Sequence, residues 1–188
     1  MKARLALAAL LIAAPAATAG AQGPAEGRVG VDGSVAGRCV LGPPSQSAVP
    51  LGTISNTSGP RTGRLASIPA QSIAFPGSYC NFAGTRISVS ANAMLAADAT
   101  APQPGFARAV NFTSTVVNWA ASNAAVTTGA AANGASPAAQ GAGGTHPAPK
   151  LADLTLTLNN FAVPSDLLLV AGGYSGAVTI TLGPAATP

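Results

Sequence analysis

The chain has 188 residues, enough for one domain with its own core, and only 7% of them are charged. Its formal charge of +4 halves once Lys2 and Arg4 of the leader are set aside, a balance that does not argue for nucleic acid or an acidic membrane surface. So few charges leave a surface of Ser, Thr, Asn, Gln, Ala and Gly, which suits a subunit packed among copies of itself better than a free cytosolic enzyme.

Residues 1–19 read as a secretory signal. Lys2 and Arg4 give the positive start, Leu5 to Ala14 the short apolar core, and Ala17-Thr18-Ala19 the small-residue cleavage site; Ala19-Gly20-Ala21 is a second such site. The apolar run is too short to span a bilayer, which takes roughly 20 residues, and no later stretch is long enough. An exported protein with no stable membrane insertion is expected, with an extension at 20–37 followed by a domain at 38–188.

From Arg28 to Val40 the odd positions are Val29, Val31, Gly33, Val35, Gly37 and Cys39, and the even ones are mostly polar or charged. Strand side chains alternate between faces, so the pattern predicts a strand with one apolar face. A helix would scatter these residues, and its glycines would weaken it. A terminal strand of this kind needs a sheet to join, in its own domain or in a neighbour.

Val49-Pro50-Leu51-Gly52-Thr53-Ile54 reads as a short broken strand, with Pro50 pointing to an edge. Ile68 to Cys80 is extended, with Ile73 and Phe75 on one face. Arg86 to Ala93 alternates, placing Ile87, Val89, Ala91 and Ala93 inward. Ala109 to Trp119 is a strand whose apolar phase slips, and a bulge near Thr115 is the simplest cause. Ala120 to Lys150 is Ala/Gly/Ser/Thr/Asn-rich and, apart from Val126, offers almost no large apolar side chain to pack, so 120–150 is expected to be a long mobile loop. Leu154, Leu156 and Leu158 share a face in a strand running toward Val163. The final strand places Tyr174, Gly176, Val178, Ile180 and Leu182 on one face, and Gly183 to Pro188 follow it. Short strands with Gly/Pro turns and no convincing helical period predict an all-β sandwich.

Cys39 and Cys80 are the only cysteines, and export carries them into an oxidising compartment. An intramolecular disulfide is expected, stabilising the fold by about 4 kcal/mol in the chain-entropy model.

Six strands emerge from this pass, one fewer than a seven-stranded immunoglobulin-like sandwich. Val29 to Val35 is the spare element. Folded back, it completes its own domain; inserted into a neighbour, it fills that domain's vacant groove by strand addition. Burying its three valines contributes about 1.5–3 kcal/mol each. An unfilled groove is an aggregation hazard that calls for a chaperone.

Taken together, the short strand from Val29 to Cys39, Leu51-Gly52-Thr53-Ile54, Tyr79-Cys80-Asn81 and the ending from Ala171 to Leu182 resemble the pilins of chaperone–usher fimbriae. The nearest resemblance is to the archaic branch that includes spore coat U-type domains. Each piece alone is weak; order and spacing carry the resemblance across nearly all of the mature chain. It implies an incomplete immunoglobulin-like sandwich of six strands plus one donated strand, with a bond from first strand to second that fits Cys39–Cys80. It also implies partners: neighbouring copies, a periplasmic chaperone and an outer-membrane usher, with the product an extracellular fimbrium of the kind that serves adhesion and biofilm formation. Gly33 falls where such donor strands carry a small residue.

Catalysis finds little support in the residues. His146 is the only histidine, and Glu26, Asp32, Asp98, Asp153 and Asp166 are scattered singly, without a spacing that proposes acid–base work. Asp153 and Asp166 read as residues of strand ends or turns. There is no nucleophile elbow, phosphate-binding glycine loop or metal-ligand cluster, so no catalytic residue, metal or cofactor is assigned. Arg61 and Arg64 read as a solvated loop rather than an anion site, and Trp119 and Tyr174 as packing residues rather than a sugar-stacking platform. The rival to a fimbrial subunit is a self-complemented secreted sandwich acting as an adhesin or carbohydrate-binding module.

Overall fold

A computed structural model describes residues 23–137 and 139–185; the expected signal at 1–19 lies outside them. The fold is all-β, a sandwich-like arrangement of antiparallel strands with one short parallel pair, Phe106–Ala107 beside Leu168–Leu169. In chain order the strands are β1 (Cys39–Val40), β2 (Gln71–Cys80), β3 (Thr85–Ala96), β4 (Phe106–Ala107), β5 (Ala109–Val117), β6 (Ala124–Thr127), β7 (Ala139–Ala142), β8 (Lys150–Ala162), β9 (Leu168–Leu169) and β10 (Tyr174–Pro184). Among the described residues a single 3-10 turn, Pro164–Asp166, interrupts them. Contacts divide the chain after Val35, and every strand belongs to the unit that begins at Ala36.

One layer runs β1-β2-β8-β5-β6 and the other β7-β3-β10. They join where the first residues of β5 pair with the end of β3, Val110 opposite Met94 and Ala109 opposite Leu95. Residues with alternating hydrophobicity form the long strands, because each can bury one face. In β3, Ile87, Val89, Ala91 and Ala93 are all buried. In β8, Leu154 and Leu156 are buried and Leu158 is half-buried. From the facing strands, Ile73, Phe75, Phe112 and Val116 complete the main core, with Trp119 beside them. A second cluster of Leu65, Ala107, Val110 and Val163 closes the end where β10 begins.

Several expectations need correction. The tract at 120–150 is not a loop throughout: it contains β6 and β7, which pair with β5 and β3. Its alanines and glycines do the packing. Ala124 and Ala130 are buried, and a Cβ on Gly141 would meet the Ala125 carbonyl oxygen at 1.9 Å. With these two and the two-residue strands β1, β4 and β9, the count exceeds six. Val49 to Ile54 forms no strand; Ser55 opposite Leu65 is a lone bridge beyond it. β5 has no slip at Thr115. Phe112, Ser114 and Val116 stay inward, and the register shift against β8 falls between Asn111 and Thr113. The phase change at Trp119 comes from Asn118, whose positive φ of 76° turns the next side chain into the core. Asp153 sits inside β8, where its carboxylate accepts a 2.8 Å hydrogen bond from the Gly77 amide at the bulge of β2. Pro76 occupies that same bulge, a position where the missing N–H costs no ladder bond. The last strand also runs past Leu182 to Pro184, and the Ala185 amide bonds the Gly84 carbonyl.

Candidate functional site

β10 pairs with β3 along one edge and with no strand along the other among the described residues. The opposite layer ends at β1, after which residues 41–51 lie along β2 without forming a ladder. Pro43, Pro44 and Pro50 explain this: each lacks an N–H and breaks the run of donors. Three polar contacts fix the segment instead. The Gly42 amide donates to Ser78 Oγ (2.9 Å), the Ser45 amide to the Ala74 carbonyl (2.8 Å), and the Ala74 amide to Ser45 Oγ (3.0 Å).

Between this segment and β10 the sandwich stands open as an apolar groove of about 580 Å³. Leu41, Val49 and Leu51 line one wall, and Tyr174, Val178 and Ile180 the other. The floor includes Ile73, Phe75, Phe112, Leu156, Leu158 and Phe161. The groove therefore reaches the main core itself. The final-strand residues Tyr174, Val178, Ile180 and Leu182 are half-buried, because each has packing on the core side only.

Tyr174 closes the end where β10 begins. Its hydroxyl donates toward the carbonyl oxygens of Val170 (2.9 Å) and Ala107 (3.3 Å), and burial pushes its pKa up. The other end lies where β10 passes beside β1 and the Cys39–Cys80 disulfide. The disulfide joins directly opposed residues of β1 and β2.

Residues 23–38 carry no strand, and within them Val29, Val31 and Val35 are 86%, 93% and 89% exposed. A Cβ placed on Gly33 would meet nothing within 4 Å. The expected terminal strand is thus realised only at Cys39–Val40.

The other singled-out residues have structural surroundings. Trp119 is buried, its indole N–H pointing to the Thr85 carbonyl at 3.4 Å, with the Lys150 ammonium 5.7 Å from its ring centroid. Lys150 Nζ also donates to the Trp119 carbonyl at 2.5 Å. His146 pairs with Thr85 in an isolated bridge, and its Nδ1 lies 2.8 Å from the Ala148 carbonyl. Arg61 grips the Asp166 carboxylate with both terminal nitrogens, and Arg64 bonds the Asp166 carbonyl. Arg61 therefore holds the Asp166 carboxyl below the usual carboxylate range. Among the described residues no three of His, Cys, Asp and Glu lie together as metal ligands would. The chain matches no protein-family model, no curated protein and no solved structure.

Sequence reasoning missed the role of Ser45 and Ser78 in holding the groove wall. Their only signal was two small hydroxyl residues near prolines, which is common to most turns.

Proposed function

We propose that the chain is a structural subunit of an extracellular fimbria or surface coat, built by donating Val29 to Val35 into the groove of a neighbouring copy. The observation that carries this reading is the coexistence of an open groove floored by core residues with an exposed segment of matching pattern. In a donated strand Val29, Val31 and Val35 would project from one face. From Val29 to Val35 the strand would cover about 20 Å at roughly 3.3 Å per residue, within the length of the free edge of β10. Inserted there, its backbone supplies the hydrogen bonds that β10 lacks, and its valines cover the groove floor.

Before assembly the groove needs protection, so a periplasmic chaperone and an outer-membrane usher fit as transient partners. The hydroxyl-rich outer faces, such as Ser88 and Ser90 of β3 and Thr155 and Thr157 of β8, suit a subunit surrounded by copies of itself. No residue is given a catalytic role and no cofactor is invoked.

The test is the native and denatured mass of the exported mature protein. Assemblies that fall to single chains only under strong denaturation support the reading. A lone heat-stable monomer whose residues 29–35 resist hydrogen exchange would instead favour a self-complemented adhesin or carbohydrate-binding module.

A further inference from the structure

Whether the extension fills its own groove or a neighbour's is decided at its root. The Cys39–Cys80 pairing continues outward by one position to Arg38 and Asn81. The Asn81 amide donates to the Arg38 carbonyl (3.0 Å), and the Arg38 amide donates back to Asn81 Oδ1 (2.6 Å). Asn81 Nδ2 then reaches the Ala36 carbonyl at 2.9 Å. Beside it, the Phe82 ring lies 3.3 Å from where a Cβ on Gly37 would stand. One asparagine thus uses both ends of its amide to hold Ala36 and Arg38 in line with β1.

That alignment has a consequence for partner choice. After β1 the chain runs along the groove wall from Leu41 to Leu51. For Val35 to enter the groove of its own domain, the chain must reverse between Val35 and Cys39. Ala36-Gly37-Arg38 would then be the loop of a three-residue hairpin, which needs a turn and a left-handed residue. Turning the chain within these three residues would pull the Ala36 carbonyl and the Arg38 amide away from Asn81, which bonds both beside the start of β1.

We infer that Asn81 is a positioning residue that selects the partner: it bars self-insertion and leaves the extension for a second copy of this chain. The inference rests on the donor-strand reading above and adds which groove is filled. Asn81 is not among the residues that line the groove; it acts through the direction of residues 36–38.

The experiment compares the full mature chain with Asn81→Ala and Asn81→Asp, each refolded with the disulfide intact and examined by native mass and by hydrogen exchange at residues 29–35. The unaltered chain assembles. Asn81→Ala gives at least a tenfold higher ratio of closed monomer to assembly, the monomer protected at 29–35. Asn81→Asp, which still accepts from the Arg38 amide but no longer donates to Ala36, falls between. A purely structural loss would lower stability without protecting 29–35 in a monomer. Assembly of Asn81→Ala to the same extent as the unaltered chain overturns the inference while leaving the donor-strand reading intact. A closed monomer of the unaltered chain overturns both. Should Asn81→Ala fail to fold, inserting Gly-Ser-Gly-Ser between Val35 and Ala36 provides length to reverse outside the clamp. That variant is expected to close on itself, and its undiminished assembly overturns the inference.

Discussion

The two sides of the sandwich are built from opposite materials. On the closed side, β6, β7 and the residues that flank them seal the layers with Ala124, Ala130, Gly141 and Gly143, residues with almost no side chain. On the open side stand Val49, Leu51, Val178 and Ile180, large apolar residues that remain half-buried around the groove. Small residues close a seam because backbones can approach, whereas large ones facing each other without a strand between them leave the groove open. Large apolar side chains around the groove are therefore left half-buried, while Ala124 and Ala130 on the closed side are buried.

The largest effect expected bears on both sides at once. Replacing Cys39 and Cys80 together by alanine removes the tie between β1 and β2, from which the groove wall departs. The loss is about 4 kcal/mol on the chain-entropy account, read as a lower denaturant midpoint. Next is the open side alone. Ile180→Arg places a charge where an inserted strand would bury it, costing about 3 kcal/mol or more and over a hundredfold in strand affinity. The isolated domain, in which Ile180 is half-buried, should lose far less. Equal losses in both would mean that the groove is not an acceptor.

The closed side gives the reverse contrast. Gly141→Ala drives a methyl into the Ala125 carbonyl and is expected to cost about 1–3 kcal/mol of fold stability. Gly33→Leu meets nothing in the single chain, so its stability should change by less than about 0.5 kcal/mol while assembly is impaired. Thermal melts and assembly yields, measured together, separate the two. The smallest effect is electrostatic. Arg61 lowers the Asp166 pKa, so their pairing contributes above the ordinary carboxylate range and is lost as pH falls through the lowered value. Both groups are exposed, so the contribution is slight and weakened by salt. Unfolding midpoints of the native chain and Asp166→Asn should differ slightly at neutral pH and converge in acid.

Strands whose large side chains alternate were legible in the sequence: Ile87 to Ala93 and Leu154 to Leu158 have the faces their period predicts. So was the disulfide, since two cysteines leave one intramolecular choice. β6 and β7 were not, because strands that pack through Ala and Gly have no hydrophobic alternation to read. Val49 to Ile54 misled in the other direction. Its residues suit a strand, but Pro50 lacks a donor within it, and the bonds that fix the preceding stretch to β2 are made at Gly42 and Ser45 instead. The shift at Trp119 depended on one backbone angle at Asn118, a residue type that tolerates positive φ without announcing it. For the candidate site, the spare apolar segment was legible, but the strand count set beside it was too low, and the groove's position between β10 and residues 41–51 required the pairing of every other strand.

The most direct test of the central claim is strand donation in trans. A domain beginning at Ala36, the compact unit of the structure, is mixed with a synthetic peptide of residues 23–35, and amide exchange along β10 is followed by mass spectrometry. The account predicts a one-to-one complex in which amides from Val178 to Leu182 become protected and the melting temperature rises. Unchanged exchange along β10 at saturating peptide, with no complex detected, would contradict it.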